Sequence, residues 1–178
     1  TICAIPVRED PRDAFLSANY ATIADLPHGA RLGTASMRRQ AQALAQRPDL
    51  DIVMTRGNVD TRLNKLKSGE IDALLLAAAG LNRLGLTGEI RSFIDPDLYP
   101  CAPGQGALAI QCRNERLAVP WMAKVHDEAT FLRIQAERGA LEALEASCRT
   151  AVGAYAVVDN GTLSLFVEAL SGDGVKRW

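Results

Sequence analysis

The run Gly33-Thr34-Ala35-Ser36-Met37-Arg38-Arg39 sets two hydroxyls and two guanidiniums at the start of an amphipathic segment marked by Met37, Ala41, Leu44 and Ala45. Free N–H groups at a helix start, Ser and Thr oxygens and forked Arg donors together suit an anion, and a carboxylate above all, because its two oxygens match paired guanidinium N–H groups. A plainer reading is also open, with Ser36 as an N-cap and Arg38 and Arg39 on a solvated first turn. Far downstream, Cys148 stands beside Arg149 in the run Ser147-Cys148-Arg149-Thr150. A thiol beside a cation, on a loop after a helix, is compatible with an exposed thiolate that could hold a group covalently.

The elements needed to position the first run can be traced from Arg31 to about Leu86. Short apolar runs alternate with helical ones: Arg31 to Thr34, a helix to Gln46, Asp51 to Thr55, a helix from Asn58 to about Lys67, Ile71 to Ala77, and a helix to Leu84. Arg47-Pro48-Asp49 and Ser68-Gly69 stop the first two helices, and Asn58 suits an N-cap. Strands alternating with helices form βαβ units around a parallel sheet, and the apolar runs at Ile52 to Met54 and Ala73 to Ala77 fit strands covered on both faces. Ligands of open α/β sheets sit beyond the carboxyl ends of the strands. Those ends deliver Thr34, Ala35, Ser36, Arg38 and Arg39; then Arg56, Gly57 and Asn58 with Arg62; then Gly80 with Arg83. Arginines repeated at one sheet edge point to a multi-carboxylate or phosphate site, and Gly57 and Gly80 fit close backbone approach or plain turns.

Composition narrows the class. The 178 residues are 48% hydrophobic and 23% charged, ordinary for a globular protein. A net charge of -1 disfavours the broad basic face of a nucleic-acid binder, so any anion site is local. No run approaches the length of a membrane span and no signal-peptide pattern opens the chain, so a cytoplasmic protein without a membrane partner is expected. Cys3, Cys101, Cys112 and Cys148 fall at irregular spacing, with only His28 and His126 to join them. Neither a disulfide framework nor a zinc site is suggested, and at least three of these thiols are expected to be small buried hydrophobes.

Beyond Leu86, Asp95-Pro96-Asp97 and Tyr99-Pro100-Cys101-Ala102-Pro103 look like a hinge. Gly104-Gln105-Gly106 leads into a strand around Ala107 to Cys112 with no obvious partner nearby. A long helix is expected from about Asp127 to Ala146, capped by Asp127, followed by a hairpin of Gly153 to Val158 and Thr162 to Leu170 that turns at Asn160-Gly161. The chain opens like the middle of a strand at Thr1 to Ile5 and closes at Trp178 within an unfinished unit, so a fragment is expected.

Five strings carry a resemblance: Arg31-Leu32-Gly33-Thr34-Ala35-Ser36-Met37-Arg38-Arg39-Gln40, Arg56-Gly57-Asn58-Val59-Asp60-Thr61-Arg62-Leu63, Ala79-Gly80-Leu81-Asn82-Arg83-Leu84-Gly85-Leu86, Gly104-Gln105-Gly106-Ala107 and Glu145-Ala146-Ser147-Cys148-Arg149-Thr150-Ala151-Val152-Gly153. In order and spacing the chain resembles the porphobilinogen deaminase (hydroxymethylbilane synthase) family along essentially its whole length. The resemblance implies a monomeric transferase of tetrapyrrole biosynthesis that condenses porphobilinogen, with loss of ammonia, onto a growing pyrrole chain primed by a covalent dipyrromethane cofactor. It implies that Cys148 carries this cofactor through a thioether. It also implies that Thr34, Ala35, Ser36, Arg38, Arg39, Arg56, Gly57, Asn58, Arg62, Gly80, Arg83 and Gln105 bind the carboxylates of cofactor and substrate. Pyrroles with two carboxylates per ring suit many fixed Arg donors.

The family's catalytic aspartate lies in a His-Ser-x-Lys-Asp segment that does not occur in this sequence, so no catalytic residue is assigned and the chain alone is expected to be inactive. Ala151 stands where a proline is frequent in the family. The expected fold class is α/β: a βαβ domain with a parallel or mixed sheet resembling a type II periplasmic-binding-protein lobe, plus a small α+β C-terminal domain with an antiparallel hairpin. The expected division is 1–7 as a remnant of the first domain and crossover, 8–100 as the second, carboxylate-binding domain, 101–122 as hinge and returning strand, and 123–178 as an incomplete third domain carrying the cofactor cysteine. The competing reading is a stand-alone anion- or solute-binding module without covalent chemistry.

Overall fold

The computed structural model describes residues 1–113, 120–147 and 149–178. In chain order the elements are β1 (Ile2–Ala4), β2 (Asp13–Leu16), β3 (Arg31–Thr34), α1 (Met37–Gln46), β4 (Asp51–Met54), α2 (Val59–Lys67), β5 (Ala73–Ala77), α3 (Ala78–Arg83) and β6 (Ser92–Phe93). They continue with β7 (Ile110–Gln111), α4 (Pro120–Val125), α5 (Glu128–Ala143), β8 (Val152–Asp159) and β9 (Thr162–Ala169).

A five-stranded mixed sheet in the order β4-β3-β5-β2-β6 organises the first half. β3 runs parallel to both β4 and β5, as the βαβ pattern predicts, whereas β2 enters antiparallel between β5 and β6. The pleat of β5 divides the core. Leu74 and Leu76 pack with Leu63, Leu66 and Leu81 from α2 and α3 on one face, and Ala73 and Leu75 pack with Phe15, Leu32, Ala43 and Leu50 on the face that holds α1. Each fully buried Leu or Phe contributes about 1.5–3 kcal/mol by leaving water, so both helical layers are fixed to the sheet.

The strand around Ala107 to Cys112 finds its partner inside the chain, which corrects the expectation that none lay nearby. Ile110 and Gln111 of β7 pair antiparallel with Ala4 and Ile2 of β1. The cysteine expectation is also corrected: Cys3 and Cys112, brought alongside by this pairing, form a disulfide with a Cα–Cα distance of 6.2 Å, and Cys101 is the buried free thiol among the described residues. The Cys3 and Cys112 positions are far apart in sequence, and only the β1–β7 register brings them together.

The expected single helix from Asp127 to Ala146 is shorter and has a neighbour. α4 precedes it, Asp127 caps α5 by accepting the Thr130 N–H at 2.8 Å, and the helix stops at Ala143 just before Glu145 takes a left-handed φ of 48°. The hairpin forms as predicted, with Asn160 (φ 48°) and Gly161 (φ 76°) both left-handed as a two-residue turn requires.

A buried ion pair ties the two halves. Arg8 Nη1 and Nη2 donate to the Glu137 carboxylate of α5 at 2.6 and 3.1 Å, and Glu137 also accepts the Gly104 and Ala156 N–H groups at 2.7 and 3.0 Å. One carboxylate thus holds the segment entering the sheet domain, the turn before Gln105 and strand β8. Among the described residues no helix is long and apolar enough to cross a membrane.

Candidate functional site

Because β3, β4 and β5 run parallel, the residues following them emerge at one edge of the sheet. After β3, buried Thr34 accepts the Ser36 N–H through Oγ1 at 3.2 Å, and Ser36 Oγ accepts the Arg39 N–H at 3.4 Å. Ser36 therefore is the N-cap of α1, with Ala35 exposed between the two hydroxyl residues. After β4, Asn58 caps α2 by accepting the Thr61 N–H at 2.9 Å, and Gly57 has φ 111°, a conformation that side chains disfavour. The Gly57 carbonyl accepts Arg62 Nε at 2.9 Å, which leans Arg62 back over the start of its own helix. After β5, Arg83 Nη2 donates to the Gly106 carbonyl at 2.8 Å. Gly80 does not answer to close approach: a Cβ there would meet nothing within 4 Å.

The arginines divide into two groups. Arg38 is only 3% exposed, and its Nη1 donates to Asp13 Oδ2 at 2.7 Å, Gln42 Oε1 at 2.8 Å and the Pro100 carbonyl at 3.2 Å. Its Nη2 reaches Asp13 Oδ1 at 3.3 Å and Gln105 Oε1 at 3.4 Å, leaving Nε buried and unpartnered. Arg39 donates through Nε to Asp13 Oδ1 at 2.9 Å and through Nη2 to Gln105 Oε1 at 3.1 Å. Arg56 is exposed, and Arg62 and Arg83 bond backbone carbonyls rather than carboxylates. Burial, and after it the charge of Arg39, shifts Arg62 below the usual arginine range, so these two cations share one electrostatic neighbourhood.

Asp13, which the sequence reading passed over, is the centre of this arrangement. Burial alone would push its carboxyl up. Arg38 and Arg39, by charge and by hydrogen bonds, reverse that effect and hold it well below the usual carboxylate range. Gln105 Nε2 donates to Asp13 Oδ1 at 2.8 Å and to the Pro11 carbonyl at 2.6 Å, so the amide bridges acid and arginines. A polar residue opening the apolar run Ala14-Phe15-Leu16 is the one sequence signal that could have singled Asp13 out.

Beside this network lies a cavity of about 220 Å³ lined by Ser36 and Arg38 together with Ala102, Pro103, Leu141, Ser147, Thr150 and Val152. Cys148 itself lies outside the described residues. Its described neighbours Ser147 and Thr150 line the same cavity as the start of α1, although Arg38 and Thr150 stand far apart in the chain.

Residues 1–120 match the family model for porphobilinogen deaminase, dipyromethane cofactor binding domain, and residues 131–177 match that for porphobilinogen deaminase, C-terminal domain. The chain belongs to the porphobilinogen deaminase family. It is 60% identical over 177 residues to the porphobilinogen deaminase of Caulobacter vibrioides (strain NA1000 / CB15N), a match that covers 99% of this chain and 55% of that protein. It is 56% identical to that of Phenylobacterium zucineum (99% and 55% covered) and 44% identical to that of Staphylococcus carnosus (100% and 59% covered). The chain thus spans about half the length of the curated relatives it matches. Among solved structures, a candidate methionine-binding lipoprotein of Bacillus subtilis aligns with a TM-score of 0.47 at 12% identity, covering 79% of this chain and 67% of that one.

The porphobilinogen deaminase family's dipyrromethane is an anionic group, and the residues present suit one. The buried, unpartnered Arg38 Nε belongs to a residue lining the cavity, and Arg39, Arg56 and Arg62 add donors at the same sheet edge. Guanidiniums supply the paired N–H groups that carboxylates accept.

Proposed function

We propose that this chain is the cofactor-holding part of a hydroxymethylbilane synthase, a transferase that polymerises porphobilinogen with loss of ammonia into a linear tetrapyrrole. The observation that carries the reading is the shared cavity: Ser147 and Thr150, which bracket Cys148 in the sequence, line it together with Ser36 and Arg38. In this reading Cys148 forms the thioether to a dipyrromethane, and the bound group supplies the primer to which porphobilinogen units are added. Arg39, Arg56 and Arg62 hold the ligand carboxylates at the strand ends, with Thr34, Ala35, Ser36, Gly57 and Asn58 shaping the helix starts beneath them. Arg83 fixes the Gly106 turn at the same edge.

The division at residues 7, 100 and 122, the likeness of the 8–100 unit to a type II periplasmic-binding-protein lobe, a cytoplasmic location and a monomeric state belong to the same proposal. The mixed sheet with helices on both faces supports the lobe. Because no His-Ser-x-Lys-Asp segment occurs in these 178 residues, the chain alone forms no tetrapyrrole.

Calorimetric titration of the purified chain with porphobilinogen tests the reading. Saturable binding is expected, stronger than for succinate and weakened about tenfold by Arg62→Ala, the loss of one charge-assisted contact. Equal affinity for succinate and porphobilinogen, or binding that ignores Arg62→Ala, overturns the reading in favour of a general anion module. Added mass on the Cys148 peptide of the purified chain supports the thioether.

A further inference from the structure

Most of the charge at the head of α1 is already engaged. Asp13 is 4% exposed, opens strand β2 between β5 and β6, and meets both Arg38 and Arg39. One carboxylate against two guanidiniums leaves a single net positive charge. The donors decide where that charge is usable. Arg38 has both terminal nitrogens bonded to Asp13, Gln42, Gln105 and the Pro100 carbonyl, and its unpartnered Nε is buried. Arg39 is held by Nε and Nη2, and among the described residues its Nη1 has no partner. With two of its three nitrogens fixed, the guanidinium plane of Arg39 cannot swing about its flexible stem, so a ligand carboxylate meets a pre-oriented edge rather than a mobile cation.

We infer that Asp13, bridged by Gln105, is a positioning residue that fixes Arg38 and Arg39 so that the Nη1 edge of Arg39 remains to receive a ligand carboxylate. This rests on the proposed function and deepens it. It changes the role of Gln105: its amide oxygen accepts from both arginines and its amide nitrogen donates to Asp13 and the Pro11 carbonyl, so it orients the arginines rather than holding the ligand. It also separates two neighbours of the same type. Arg38 sets the frame and Arg39 makes the contact.

A merely structural Asp13 would fasten β2 to α1 without setting ligand affinity, so the test reads orientation and binding separately. In the ¹⁵N-labelled chain, solvent exchange of the Arg39 Nε–Hε group is measured in wild type and Asp13→Asn, with Arg62 Nε–Hε, bonded to the Gly57 carbonyl, as the internal reference. Exchange at Arg39 is expected to be about tenfold faster in Asp13→Asn with Arg62 unchanged, and porphobilinogen affinity to fall about tenfold, as expected for loss of a charge-assisted bond. Unchanged Arg39 exchange overturns the inference. So does faster exchange with undiminished porphobilinogen binding, because the orientation would then not matter to the ligand. Should wild type bind no porphobilinogen, the proposed function fails, and the exchange measurement alone decides whether Asp13 fixes Arg39. If Asp13→Asn does not fold, Gln105→Met keeps both ion pairs and removes only the bridge. Faster Arg39 exchange together with weaker porphobilinogen binding is expected there too, and its absence overturns the inference.

Discussion

Replacing Glu137 by Gln should unfasten the molecule, and the structure gives the size of the effect. Each carboxylate oxygen accepts two bonds: Oε1 from Arg8 Nη1 and the Ala156 N–H, Oε2 from Arg8 Nη2 and the Gly104 N–H. Whichever way the amide of Gln is turned, its NH2 faces two donors, one of them a guanidinium N–H. Arg8 and Glu137 have side chains 2% and 0% exposed, so water does not replace the lost acceptor. Two unsatisfied buried donors cost about 1–3 kcal/mol each, and stripping one partner from a buried ion pair costs about 3–5 kcal/mol as a whole. Taking about 3 kcal/mol and a urea slope of about 2 kcal/mol/M, the unfolding midpoint should fall by about 1.5 M. Urea melts of wild type, Glu137→Gln and the exposed-site control Glu142→Gln provide the assay, with the control expected within about 0.5 kcal/mol of wild type. Removing both charges in Arg8→Met/Glu137→Met should not recover the loss, because the Gly104 and Ala156 N–H groups are still left without their acceptor. The reasoning is refuted if Glu137→Gln melts with Glu142→Gln.

Two further outcomes follow from the cysteines. Burial pushes the Cys101 thiol up to about 12, so at pH 8 it stays protonated and should resist iodoacetamide in the folded chain while reacting once the chain is unfolded in urea; rapid native labelling in peptide mass spectra would count against this burial. Peptide mapping without reductant should recover Cys3 joined to Cys112. Reduction should lower stability by up to about 4.7 kcal/mol, the chain-entropy value for a loop of about 100 residues; a urea midpoint insensitive to reductant would show that the β1–β7 pairing does not depend on the link.

The local parts of this molecule were legible in the sequence, since short-range rules govern them. Ser36 and Asn58 cap the helices they were read to cap, Asn160-Gly161 turns the hairpin, and the alternating runs give β3, β4 and β5 side by side. What escaped is long-range pairing. β2 enters antiparallel between β5 and β6, and β7 finds β1 across more than half of the chain, because strand partners depend on a global register that no window of residues contains.

The same distinction runs through the candidate site. That arginines gather at the strand ends follows from periodicity, but which acid each one meets does not. Arg38 and Arg39 look equivalent in the sequence, adjacent on one helical turn, and their 3% and 11% side-chain exposures separate only once Asp13 arrives from β2 and Gln105 from the turn after Pro103. Gln42 shows the same effect one turn further along the same face of α1, where it joins the Pro100 carbonyl to Glu168 of β9 at 2.9 and 2.7 Å. A buried polar chain therefore runs from Gln105 through Asp13, Arg38 and Gln42 to the hairpin, and every member is a residue whose side chain would read as surface in isolation. Such residues enter an interior only in mutually satisfied groups. An anion site in this fold is thus specified less by its cations, which the sequence displays, than by the single acid that decides which of them are left free.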